Sequence, residues 1–76
     1  MKIFVGNYVR ISSDFSSNRN LQNQTGIIVA LPNVEHLQEY LVKLDGGKNS
    51  SPHLAGKLVR VPVSSLKLAD QIRSIL

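Results

Sequence analysis

Short apolar runs, each cut off by glycine, proline or other turn-forming residues, most limit what this chain can become. Tyr8-Val9-Arg10-Ile11-Ser12 alternates, with Val9 and Ile11 on one face, as a half-buried strand does. Gly6-Asn7 before it is turn chemistry. Gly26-Ile27-Ile28-Val29-Ala30-Leu31 is rich in β-branched side chains and stops at Pro32, which predicts a second strand. Pro32-Asn33 opens a turn, and Glu39-Tyr40-Leu41-Val42-Lys43-Leu44 reads as a third strand. Asp45-Gly46-Gly47 closes that strand, Asp-Gly supplying the positive φ that a tight hairpin needs. Lys57-Leu58-Val59-Arg60-Val61-Pro62 is a fourth strand, with Val59, Val61 and Val63 on one face and Leu58, Arg60 and Pro62 on the other. Ser64-Ser65 suits a single helical turn, after which Leu66 and Leu68 begin a last short strand.

Between these runs the chain is polar. Ser12–Gln24, dominated by Ser, Asn, Asp and Gln, reads as one long loop, and long loops in compact domains are usually functional or mobile. Lys48–Leu54 is a second polar loop. Two stretches carry helical spacing. Val34, Leu37, Tyr40 and Leu41 form a helical stripe, but the β-rich Tyr40-Leu41-Val42 and the preceding Pro-Asn pair favour a loop running into a strand. The tail Ala69–Leu76 starts near Asp70 and spaces Leu68, Ile72 and Ile75 or Leu76 as a helix would. So short a helix must pack on the body of the protein or on a partner.

At 76 residues the chain holds one domain, 1–76, whose thin core buries roughly 60% of the unfolded surface. The absence of cysteine removes disulfides and thiolate zinc sites from consideration. The first residues are too short an apolar stretch for a signal-peptide core, and no run approaches the roughly 20 apolar residues of a membrane span. The expectation is a soluble, cytoplasmic protein with no cofactor. Nine Lys plus Arg against five Asp plus Glu leave a net charge of +4, which attracts nucleic acid, anionic membranes or acidic proteins alike.

Three stretches resemble a known fold family. Val5-Gly6-Asn7-Tyr8-Val9-Arg10-Ile11 looks like the "Gly-x-x-Val-Arg-Ile" opening of many SH3-like barrels. Val61-Pro62-Val63-Ser64-Ser65-Leu66-Lys67-Leu68 is similar to their closing "Val-Pro-x-x-x-Leu" turn and strand. Thr25-Gly26-Ile27-Ile28-Val29 resembles the "Gly-x-Val" strand of KOW-type barrels in ribosomal and transcription proteins. The resemblance implies a five-stranded SH3-like barrel over about 5–68, with a short C-terminal helical tail over 69–76. It implies a fold rather than a function. Signalling SH3 domains read proline-rich peptides on an aromatic shelf, and this chain has no Trp to build one. KOW-like barrels bind RNA or RNA-handling machines. Small barrels of photosynthetic complexes open with the same strand and act as docking or stabilising subunits. Type II dihydrofolate reductases share the small barrel, but the residues they place before the closing proline are replaced here by Val59-Arg60-Val61.

The expected function is therefore a non-catalytic binding module. Strand alternation turns Arg10, Lys43, Arg60 and Lys67 outward, with Lys57 at a strand start and Arg19 and Lys48 in loops. These cations are candidates for one patch on phosphates or an acidic protein surface, against a scattered solvated exterior. Tyr8, out of phase with Val9 and Ile11, is a candidate stacking ring. Phe15 must either tuck back onto the barrel or meet a partner. Phe15, Ile72, Ile75 and Leu76 are the candidates for protein docking, the route by which the chain would serve a larger redox or photosynthetic complex. His36 and His53 lie in separate loops without metal spacing and read as ordinary loop residues. Asp45-Gly46-Gly47-Lys48 and Ala55-Gly56-Lys57 lack the spacing of a phosphate-binding glycine loop, and Ser64 and Ser65 have no evident base.

Overall fold

A computed structural model of the chain describes residues 3–35, 37–46 and 52–69. Its strands lie where alternation and β-branching predict them: β1 is Tyr8–Ile11, β2 Thr25–Ala30, β3 Glu39–Leu44, β4 Leu58–Pro62 and β5 Leu66–Leu68. The other regular elements are single 3-10 turns at Arg19–Leu21, Pro52–Leu54 and Val63–Ser65, and no α-helix occurs among the described residues. The fold is all-β. The stripe from Val34 to Leu41 is loop and then β3, so β-propensity and Pro32 outweigh its helical spacing. The expected tail helix lies outside the described residues except for Ala69, whose N–H donates to the Tyr8 carbonyl at 2.9 Å.

The five strands form one antiparallel sheet in the order β4-β3-β2-β1-β5. The expected closed barrel is not formed, because no ladder joins the edge strands β4 and β5. The sheet nevertheless curls. Laid flat, its edges would stand roughly 19 Å apart at about 4.8 Å per strand. Yet only Val63–Ser65 lies between Pro62 at the end of β4 and Leu66 at the start of β5, a span of about 14 Å at full stretch. Val61 on one edge and Leu66 on the other also bury into a single cluster with Val9, Ile11, Ile28, Val42 and Leu44. An irregularity in the β2–β3 register between Ile28 and Ala30 lies in the strand that has to bend.

The polar segment after β1 is built in rather than loose. Phe15 is 5% exposed and Leu21 joins the same core, so two apolar anchors pull the loop onto the sheet. The Asn18 side chain caps the turn at Arg19–Leu21 by accepting from the Asn20 N–H at 3.0 Å. Gln22 Nε2 donates to the Phe15 carbonyl at 2.8 Å, tying the two sides of the loop together. Packing begins earlier than the expected boundary near residue 5, because Ile3 is also buried.

The β3–β4 connection is longer than a tight hairpin. Pairing ends where the Gly56 N–H donates to the Leu44 carbonyl at 2.7 Å, and Asp45 turns instead to β2, donating its N–H to the Thr25 carbonyl at 3.1 Å. Gly46 does take the positive φ expected of it, at 68°.

Candidate functional site

The inward face of the sheet is spent on the core, so chemistry has to lie on the outward face. In β1, Val9 and Ile11 are fully buried, which turns Tyr8 and Arg10 outward. Register then decides their neighbours. Arg10 lies directly opposite Lys67 of β5 and, on its other side, opposite Thr25 of β2. Tyr8 lies opposite Ile27, which in turn faces Lys43 of β3. Two rows therefore cross the outer face, Lys67-Arg10-Thr25 and Tyr8-Ile27-Lys43.

Tyr8, Arg10, Thr25, Lys67, Leu68 and Ala69 line an open groove of about 400 Å³ over β2, β1 and β5. Arg10 and Lys67 are exposed, and their side chains start about 5 Å apart across the ladder. Two like charges so placed repel, and an anion between them relieves the repulsion. The far side of the groove is acidic and ordered. The Thr25 hydroxyl donates to Asp45 Oδ1 at 2.8 Å. The Tyr8 phenol is coupled to the same pair: hydrogen bonding with Thr25 pulls its pKa down, but burial and the hydrogen bond and charge of Asp45 outweigh this and hold it above the usual value of 10. The phenol is thus uncharged at neutral pH.

The other expected site residues are dispersed. Lys43 is exposed on the same face, two strands from Tyr8, roughly 10 Å away. Lys57 is exposed just before β4, and Arg19 is exposed in the 3-10 turn of the long loop. Arg60 departs from the expectation of an outward, solvated cation. It is half-buried on edge strand β4 opposite Leu41, and its Nη1 is buried without a hydrogen-bond partner. Phe15 follows the tucked-back alternative and offers no ring to a partner in this structure. Lys48, Ile72, Ile75, Leu76 and His36 lie outside the described residues, and His53 is exposed in the turn at Pro52–Leu54.

Sequence reasoning missed Thr25 and Asp45 as partners of Tyr8, and Leu68 and Ala69 as groove wall. The outward parity of Thr25 next to the buried Gly26 was the available signal for the first. No three His, Cys, Asp or Glu side chains come together among the described residues. No helix among them is long and apolar enough to cross a membrane. No family model matches this chain, nor does any curated protein or solved structure.

Proposed function

We propose that this chain is a non-catalytic binding module, its open curled sheet similar to the SH3-like barrels, that docks its basic outer face on nucleic acid or a nucleoprotein complex. The observation that carries this is the direct opposition of Arg10 and Lys67 across the β1–β5 ladder, beside the Tyr8 ring in one groove. Evolution of a free surface gives no reason to set two cations face to face, whereas a phosphate between them does. The resemblance to SH3-like barrels is supported by the long ordered loop after β1 and the 3-10 turn before β5, with the sheet left open between β4 and β5. A cytoplasmic setting goes with it.

A second function has its own support. Val34 is 90% and Leu37 71% exposed in the loop before β3, and Phe4, Val5 and Leu31 are exposed as well. Apolar exposure of this kind fits an accessory subunit docking on a larger redox or photosynthetic protein complex. The two functions separate by salt. If Arg10, Lys67 and Lys43 each neutralise a phosphate, log K for a fluorescent single-stranded oligonucleotide should fall with log salt at a slope of about −2. Arg10→Glu combined with Lys67→Glu should weaken binding by about tenfold or more at low salt. Unchanged affinity in that double variant would remove the nucleic-acid function and leave protein docking.

A further inference from the structure

We infer that the groove selects single-stranded over duplex nucleic acid, with one unpaired base lying against the Tyr8 ring and its phosphate seated between Arg10 and Lys67. This rests on the nucleic-acid function proposed above and narrows its ligand class. Three features of the outer face carry it.

The first is the kind of surface Tyr8 offers. Tyr8 lies on the outward face beside Arg10 and lines the groove next to the Thr25–Asp45 pair, so its aromatic ring forms part of the groove wall. A ring binds the face of a base, and base faces are accessible only when the strand is unpaired; a duplex presents edges, which are read by convergent donors instead. The second is size. About 400 Å³ lies near the lower end of the roughly 300–1,000 Å³ typical of small-molecule sites, room for one nucleotide unit.

The third is the distribution of charge. Across the row the order is Lys67, Arg10, Thr25 and then Asp45, which receives the Thr25 hydroxyl hydrogen bond. Arg10 and Lys67 stand together on the β1–β5 side, whereas just past β3 the Asp45 carboxylate lies two residues from Lys43. A single backbone can follow the β1–β5 side with its phosphates clear of Asp45. Ala69 adds apolar wall beside the cations, which suits the sugar and base of one nucleotide better than a second phosphate.

The test uses the intact chain and three probes of equal length: a labelled single strand, the same strand annealed to its complement, and an abasic strand with the same phosphates; the single strand is also titrated against Tyr8→Ala and Tyr8→Phe. The single strand should bind at least about tenfold tighter than the duplex. Tyr8→Ala should weaken single-strand binding about 5- to 150-fold with the salt slope unchanged, because a stack and not a charge is lost. Tyr8→Phe, which keeps the ring, should bind nearly as wild type. The abasic strand should bind wild type as weakly as the normal strand binds Tyr8→Ala, a measurement that needs no variant to fold. Equal or tighter duplex binding, or equal binding of abasic and normal strands, overturns the inference while leaving nucleic-acid docking standing. Failure of every probe to bind overturns both.

Discussion

Arg60 shares the outward face of β4 with Leu58 and Pro62, yet it is half-buried and its Nη1 has no hydrogen-bond partner. A guanidinium keeps its charge in any protein environment, and a buried donor left unsatisfied costs about 1–3 kcal/mol. Arg60→Met keeps a long flexible stem and removes the donors. It should raise stability by about 1 kcal/mol, seen as a melting temperature about 4–8 °C higher in a domain of this size. It should leave oligonucleotide affinity unchanged, because Arg60 lies outside the groove. A fall in melting temperature would mean that the guanidinium is satisfied after all. The contrast with Arg10 shows what alternation can and cannot disclose. Parity assigns both arginines to the outward face correctly, but depth depends on what lies across and around them. Arg10 sits between Lys67 and Thr25 and stays exposed, whereas Arg60 sits opposite the half-buried Leu41 within β3.

At the scale of the elements, β2 is the strand on which the sheet turns, since it pairs with both β1 and β3 and carries the register shift. Its tightest point is Gly26, paired with Val9 on one side and Leu44 on the other. A Cβ there would collide with the Lys43 carbonyl oxygen and lie 2.8 Å from Val42 Cγ1. A ladder carbonyl cannot swing aside as a side-chain tip can, so Gly26→Ala should destabilise the fold by about 1–3 kcal/mol. Urea unfolding would show it as a lower midpoint at unchanged slope, and a midpoint equal to wild type would contradict the close packing of β2 on β3. The strands themselves were legible because alternation and β-branching are local signals: Val9 and Ile11, or Val42 and Leu44, declare a face within a few residues. The long connection after Leu44 was legible as the Asp-Gly-Gly turn and the polar run 48–54, but the opening between β4 and β5, the pairing of Asp45 with Thr25 and the anchoring of the 12–24 loop through Leu21 were not. Each depends on contacts between residues far apart in sequence, as when Leu21 reaches the common core or Asp45 leaves β4 to pair with Thr25.

Taken whole, the molecule is a curled sheet that commits one face to a small core and leaves the other to its surroundings. Arg10, Lys67 and Tyr8 were readable as outward residues, but their meeting in one groove was not, because it is created by pairing the first strand with the last. The same topology scatters Arg19 and Lys57, so among the described residues the cations of the outer face form a short row and not a general coat. An apolar tip at Val34 and Leu37 stands apart from it. The central claim is that ligand meets the outer face of β5, β1 and β2. Titrating uniformly ¹⁵N-labelled protein with a short single-stranded oligonucleotide, and following the amide resonances, tests it most directly. The largest shifts should fall on Tyr8, Arg10, Thr25, Lys67, Leu68 and Ala69, with Val34 and Leu37 unmoved. Shifts confined to the loop before β3, or none at saturating oligonucleotide, would contradict it.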